Sequence, residues 1–337
     1  MGLRALLHFE DGVQRELDVA PGQTLLDAAL AQGIRLAHQC RSGSCASCIC
    51  TVVSGSASTI SGRASALLAS EFASGMRLAC SLLPESDLAV RFEYGSTIAE
   101  GAPALQCEAT VSGVKQLSAD VWELSVDPAA ALQALPGQYL RLRVPGTDTW
   151  RSYSISSGPE SQERLSMVVK IHPQGVMGSY LPERAREGDG CSVEGPYGAF
   201  TLGNWKGPHV FIAGSTGLGP ILPLIDQLRT RSGRTPDALL AFACSREESL
   251  FHLDEIALRQ DWMARLRVRI GVSRPGPSWT GLTGNPLALL EDAAFTPDSI
   301  VYVCGAPGLV DATRERCTAL GIPPERIRAE QYLAATD

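Results

Sequence analysis

Three cysteines, Cys40, Cys45 and Cys48, stand at C-x4-C-x2-C spacing, and Cys80 follows after a long gap. Thiolates are soft ligands that suit zinc and iron–sulfur clusters. Three on one tight loop can wrap most of a cluster, and a fourth from a distant segment closes it. The spacing is one that holds a [2Fe–2S] cluster. Small residues between the cysteines let backbone N–H groups point at sulfur, and such bonds tune the potential. Zinc is the alternative, but a structural zinc site usually pairs two short-spaced elements and Cys80 has no close partner. A cluster with histidine ligands needs a C-x-H element, and none occurs. A cluster passes single electrons and makes no bonds, so the rest of the chain is expected to supply or receive them.

Other residues carry chemistry of a different kind. Arg151-Ser152-Tyr153-Ser154 offers a guanidinium that can clamp a pyrophosphate, a ring that can cover a flat heterocycle, and a hydroxyl. Gly214-Ser215-Thr216-Gly217-Leu218-Gly219-Pro220 reads G-x-x-G-x-G, where glycines permit close backbone approach and a following helix N-terminus favours phosphate. Arg246 is followed by Glu247 and Glu248 at a place where adenosine specificity is usually set. The arginine suits a 2′-phosphate or a ribose, and the acidic pair repels that phosphate. The balance favours NADH over NADPH.

The elements that must position these residues fall into three patterns. Residues 3–9 and 14–19 read as a hairpin turning at Asp11-Gly12, and 25–32 as a helix with Thr24 as N-cap and Gly33 past its end. A strand over 49–53, a helix over 64–68, a short strand over 77–81 delivering Cys80 and a strand over 88–92 complete a small mixed sheet. Residues 96–104, small and polar, read as a linker. Short strands then recur at 107–114, 121–126, 138–144, 153–155, 165–172 and 191–194, which suggests an antiparallel barrel. From His209 apolar strands at 210–213, 238–244, 268–272 and 300–304 alternate with helices at 221–229, 255–259 and 309–320, implying a parallel α/β sheet. The expected domains are 1–97, a linker 98–105, 106–205 and 206–337.

With these residues in hand, the chain resembles a known family. Residues 1–95 resemble a plant-type ferredoxin, an α+β, β-grasp-like fold. Arg151-Ser152-Tyr153-Ser154 resembles the R-x-Y-S motif of ferredoxin reductases, which bind FAD or FMN, and 144–150 is similar to benzoate and toluate dioxygenase reductases. Residues 170–181 are similar to the family's second flavin element, which implies Lys170, His172, Gly175, Val176, Met177, Gly178 and Ser179 as cofactor neighbours. The family usually has Ser where this chain has Gly178, and Ser179 stands one position on. Glu194-Gly195-Pro196-Tyr197-Gly198 resembles the turn that ends the flavin domain. In the same way the glycine loop implies Gly214, Thr216, Gly217 and Pro220 as nicotinamide-nucleotide contacts, with Arg246 at the adenosine. Cys304-Gly305-Ala306-Pro307 resembles a C-G-x-P motif whose cysteine lies by the nicotinamide, which implies Cys304 and Gly305. Glu330-Gln331-Tyr332 is similar to the family's closing Glu and aromatic, with Tyr332 shielding the flavin face. The whole is similar to the reductase component of aromatic-ring dioxygenases of the benzoate, toluate and anthranilate type. That implies electron flow from NADH to FAD to a [2Fe–2S] cluster to a terminal Rieske-type oxygenase, with Ser154, Cys304 and Tyr332 at the reacting centre. Reductases of phenol, alkene or methane hydroxylases share the module order, and a redox-sensing regulator is a further reading.

Composition sets the bounds. The 337 residues suffice for two or three domains, and 45% hydrophobic with 19% charged residues is the balance of an ordinary globular protein. A net charge of −7 argues against nucleic acid or anionic membrane as a partner. No apolar run approaches the roughly 20 residues that span a bilayer. Residues 1–14 do not read as a signal peptide, and ten cysteines then point to the reducing cytoplasm. Most of Cys50, Cys107, Cys191, Cys244 and Cys317 are expected to be small buried hydrophobes.

Overall fold

A computed structural model describes residues 2–332 apart from 102, 159, 173, 232 and 234. Ala102 of the expected linker, Pro173 of the expected flavin element and the last five residues of the expected third domain lie outside the described residues. The chain divides into two compact units, Met1–Pro103 with Tyr197–Ala199, and Ala104–Pro196 with Phe200–Asp337.

In the first unit β1 (Leu3–His8) and β2 (Gln14–Val19) form the hairpin, and alternation buries Ala5, Leu7, Leu17 and Val19. Helix α1 (Leu25–Ala31) starts at Thr24, whose hydroxyl accepts from the Asp27 amide at 3.1 Å. Then come β3 (Ile49–Ser54), β4 (Ala57–Thr59), α2 (Ala69–Ala73), β5 (Met76–Leu78), β6 (Leu82–Pro84), β7 (Leu88–Arg91) and α3 (Ser96–Glu100). The sheet order is β2-β1-β7-β3-β5, with β1 and β7 parallel, and β4–β6 forms a separate ribbon. Phe9, Phe92 and Tyr94 pack their rings together in the core, and the Tyr94 hydroxyl accepts from the Ala37 amide at 3.1 Å. That bond anchors the chain just before the cysteine loop.

Two expectations shift here. The helix expected at 64–68 is absent, because the Ala66 amide donates to the Gly43 carbonyl at 3.0 Å and ties this stretch to the cysteine loop. The helix begins later, where the buried Glu71 carboxylate accepts from the Leu68 amide at 2.9 Å. Residues 98–100, expected in a linker, belong to α3, whose first residue donates to the Asp11 carboxylate from both Ser96 N and Ser96 Oγ.

The second unit opens with β8 (Leu105–Gln116), β9 (Val121–Pro128), β10 (Tyr139–Arg143), β11 (Trp150–Ser154), β12 (Leu165–Lys170), α4 (Val176–Glu183) and β13 (Gly190–Tyr197). The sheet order is β11-β10-β13-β8-β9-β12, and an antiparallel bridge between Ile155 and Met167 joins its two ends into a barrel. A parallel sheet follows: β14 (His209–Gly214), β15 (Ala238–Cys244), β16 (Leu266–Val272), β17 (Leu282–Thr283), β18 (Ile300–Gly305) and β19 (Ile327–Gln331). Its helices are α5 (Leu218–Thr230), entered through a 3-10 turn at Ser215–Gly217, α6 (Leu253–Trp262) and α7 (Pro307–Ala319). All seven residues of β15 are buried, as an interior parallel strand requires. The order β17-β16-β15-β14-β18-β19 reverses direction between β14 and β18. Such a reversal opens a crevice at the carboxyl ends of the two strands. The fold class is thus the expected one: an α+β unit, an antiparallel barrel and a parallel α/β sheet.

Candidate redox sites

In the first unit Cys40, Cys45, Cys48 and Cys80 converge. Arg41, Gly43 and Ala46 adopt left-handed backbone conformations that curl the loop. At Gly43, with φ +83°, an added Cβ would lie 2.3 Å from the Arg63 carbonyl oxygen, so only glycine fits. The curl aims the Ser42 and Ser44 amides at Cys40 Sγ, 3.4 Å each, and the Cys40 amide at Cys45 Sγ, 3.5 Å. The Ala79 amide donates to the Cys48 carbonyl at 2.9 Å, which brings Cys80 in on the turn after β5. Burial alone raises the Cys40 thiol, but bonds from Ser42 and Ser44 outweigh it and lower it to about 6. The bond with Cys80, together with burial, holds the Cys48 thiol well up, and the same bond lowers Cys80.

Among the described residues no three of His, Cys, Asp or Glu are disposed around a single metal ion. The sulfurs instead associate in two pairs, Cys40 with Cys45 and Cys48 with Cys80. Two thiolate pairs fit the two irons of a [2Fe–2S] cluster, and the amides on Cys40 Sγ fit its negative charge. The four-thiol zinc alternative fits poorly. Cys40 is half-buried while Cys45, Cys48 and Cys80 are buried, so this loop faces solvent on one side. Of the other cysteines Cys50, Cys191, Cys244 and Cys317 are buried, as expected, and Cys107 is half-buried.

In the second unit the crevice between β14 and β18 gathers residues from far apart in sequence. The Gly217 backbone lies against β18 so closely that a Cβ there would sit 2.2 Å from the Cys304 carbonyl oxygen. Strand β19 pairs with β18 in the register Cys304↔Glu330, and the Tyr332 amide donates to the Gly305 carbonyl at 2.9 Å. The barrel contributes Ser154 from the end of β11. Ser154 Oγ donates to the Glu330 carboxylate, and the Tyr332 hydroxyl donates to Ser154 Oγ at 2.9 Å. Burial pushes the Cys304 thiol well up, Glu330 adds to this, and the Tyr332 hydroxyl lies within bonding reach of it. Burial raises Glu330 to about 7, against the bond from Ser154.

The other expected residues are placed as follows. Arg151 and Tyr153 are half-buried on β11, and burial raises the Tyr153 hydroxyl. Gly175 opens α4 with no side chain capping it, which leaves the first amides for an anionic ligand. Met177 is buried in the barrel core and Val176 packs against it, so both would offer backbone only. Ser179 Oγ donates to the Val176 carbonyl at 3.0 Å and serves its own helix; His172 is exposed. Lys170 pairs with Asp120 at 3.0 Å. Thr216 and Pro220 are buried at the start of α5, and exposed Arg246 pairs with Glu248 at 3.7 Å. The Ser156 hydroxyl is buried without a partner, and its Cβ lies 3.6 Å from where a Cβ on Gly219 would stand. An orphaned hydroxyl there, with an uncapped helix nearby, fits a bound polar cofactor.

Comparison with known proteins matches three family descriptions in order: a 2Fe-2S iron-sulfur cluster binding domain over residues 8–85, an oxidoreductase FAD-binding domain over 108–202 and an oxidoreductase NAD-binding domain over 211–315. The toluate 1,2-dioxygenase electron transfer component of Pseudomonas putida is 32% identical over 97% of each chain. The chain belongs to this family of iron–sulfur flavoprotein electron-transfer components. The anthranilate 1,2-dioxygenase electron transfer component of Acinetobacter baylyi is 30% identical over 97% of this chain and 96% of its own. Among solved structures, the cytochrome P450 reductase of Amycolatopsis aligns at TM-score 0.70 with 28% identity, covering 97% of this chain and 98% of its own. This electron-transfer component is therefore an oxidoreductase built for a [2Fe–2S] cluster, FAD and a nicotinamide nucleotide. Among the described residues no helix is long and apolar enough to cross a membrane.

Sequence reasoning places Glu330 only by resemblance, beside Tyr332, and misses Asp120. The run Ile327–Gln331 alternates apolar and polar residues but is short, and it becomes a strand by pairing with β18. Asp120 lies in a turn with no motif, and nothing local announces its partner, Lys170.

Proposed function

We propose that the chain accepts electrons from NADH and delivers them singly to a terminal oxygenase of the aromatic-ring dioxygenase kind. The observation that carries this is the convergence of Ser154 from the barrel with Cys304, Glu330 and Tyr332 from the parallel sheet. One crevice thereby joins the flavin-binding and nucleotide-binding elements. When bound, FAD takes two electrons as a hydride and the cluster carries one electron at a time. Arg151 and the amides at the start of α4 would hold the flavin phosphates, and Tyr153 would cover the ring. Gly214, Thr216, Gly217 and Pro220 would let the nucleotide phosphates approach α5, with Gly305 at the nicotinamide end. Cys304 and Tyr332 would position the nicotinamide over the flavin, and Ser154 would hold Glu330 beside it. Cys40, Cys45, Cys48 and Cys80 would hold the cluster, with the Cys40 side and residues Arg41, Ser42 and Ser44 toward the partner. The pairing of Arg246 with Glu248, beside Glu247, supports NADH over NADPH.

The test uses the fully loaded protein with NADH, ferricyanide as a flavin-level acceptor and cytochrome c as a cluster-level acceptor. Cys45→Ser is expected to lose cytochrome c reduction while keeping ferricyanide reduction. Equal survival of both activities would remove the cluster from the path. A monooxygenase partner is the second reading, favoured by the xylene/toluene monooxygenase electron transfer component of Pseudomonas putida, 32% identical over 94% of this chain and 91% of its own. Reconstitution with purified oxygenases of either kind, scored by NADH-dependent product, separates the two.

A further inference from the structure

Lys170 does not stand alone at the edge of the nucleotide crevice. Its ammonium lies 3.0 Å from Asp120 Oδ2, while Asp120 Oδ1 is buried with no partner. Asp120 is held firmly. Its carbonyl accepts from the Ile171 amide at 3.0 Å, and Leu117 and Val121 on either side of its turn pack into the α/β core beside Leu250 and Phe251. The neighbouring Ala119 amide donates to the Glu248 carbonyl at 3.0 Å, tying the barrel turn to the loop that carries Arg246. Both charges act on Cys244, the last residue of β15: burial raises its thiol to about 12, Lys170 lowers it and Asp120 raises it. The Ala119–Glu248 bond places the pair beside the loop that leaves the carboxyl end of the second parallel strand, where an adenosine ribose is read.

We propose that Asp120 is a specificity-determining residue: by pairing with Lys170 it withholds a cation from the 2′-phosphate of NADPH, as Glu248 withholds Arg246. Lys170 and Arg246 at the adenosine end each have a carboxylate partner, on two segments bonded to each other, and exposed Arg274 stands beside them with its amide on the Ser245 carbonyl at 2.9 Å. A 2′-phosphate entering there meets Lys170 and Arg246 already compensated, while a ribose hydroxyl needs neither. This deepens the NADH reading above and rests on it.

The experiment uses the fully loaded full-length protein. It measures KM and kcat for NADH and NADPH with ferricyanide, and equilibrium binding of adenosine 2′,5′-bisphosphate and of AMP by calorimetry. Asp120→Asn is expected to lower KM for NADPH and tighten adenosine 2′,5′-bisphosphate by about tenfold, the worth of one recovered charged hydrogen bond. AMP binding stays as it was. Asp120→Glu restores the wild-type values, and Asp120→Asn added to Lys170→Met gives no gain. An unchanged KM for NADPH, a change confined to kcat, or the same gain in the Lys170→Met background would overturn the proposal. The NADH reading itself is judged separately, by the wild-type preference: a protein that already favours NADPH would refute that reading whatever Asp120→Asn does.

Discussion

Half-buried Glu330 and buried His209 are two titratable residues that the fold treats in opposite ways. Glu330 is raised to about 7 by burial, so its carboxyl is largely protonated below neutrality and ionised above it. Oxidation of NADH leaves a cationic nicotinamide, which a neighbouring carboxylate stabilises. NADH-driven ferricyanide reduction should therefore rise with pH through an apparent pKa near 7, and Glu330→Gln should flatten that profile between pH 6 and 8 to within about twofold. A wild-type profile with no inflection there would exclude the role. His209, at the start of β14, donates from Nδ1 to the Gly207 carbonyl at 2.9 Å, while its Nε2 is buried with no partner between Tyr302 and Phe211. Burial, opposed by the Gly207 bond and helped by Arg231, lowers it to about 4. A depressed histidine favours folding above its unfolded value of about 6.5, and that advantage is lost as pH falls through about 4, a difference of about 3 kcal/mol. Glu330 acts in the opposite sense across an overlapping range, its contribution fading as pH rises from 4.5 through 7. The clean measurement is thus the gap in thermal stability between wild type and His209→Phe, which should widen in the variant's favour from pH 6.5 to 4. At this scale the cysteine ligands were legible, since three of four are local and spacing encodes them. The partner of Ser154 was not, because Glu330 meets it only across 176 positions of chain.

Among the elements, strand β19 decides the most with the least sequence signal. Its residues reach the crevice because β18, fully buried, offers an unpaired edge beside Cys304, and pairing rather than propensity makes the strand. The apolar runs of β14, β15 and β18 were legible because both faces of an interior parallel strand are buried. The short helix expected over 64–68 was misplaced because a side-chain carboxylate, Glu71, and a loop bond from Ala66 set its start. The junction of β14, α5 and β18 carries the next expectation. Gly217→Ala would drive a methyl into the Cys304 carbonyl, and β18 cannot retreat without breaking its ladder with β14. The substitution should cost about 2 kcal/mol or more in chemical unfolding and raise KM for NADH about tenfold. A variant with unaltered stability and KM would show that α5 and β18 can separate freely.

At the scale of the whole molecule, the two compact units divide the work: one collects cysteines, the other gathers a nucleotide crevice and a flavin barrel. The loss expected of Cys45→Ser should accordingly be confined, with the first unit melting at lower temperature and NADH binding to the second left in place, as two calorimetric transitions would record. Module order was legible from the sequence because each module carries its own local motif, whereas the pairing of Asp120 with Lys170 joins a turn to a strand end and leaves no mark on either. The register that sets Glu330 beside Cys304 also has a bearing on synthesis. The first unit can close around the thiols once β7 and Tyr94 have emerged, but the crevice lacks Glu330 and Tyr332 until some 240 further residues have been made. A growing chain can thus hold an electron outlet long before it has an inlet, and for most of its time on the ribosome it has no complete site through which to draw on reduced nucleotide.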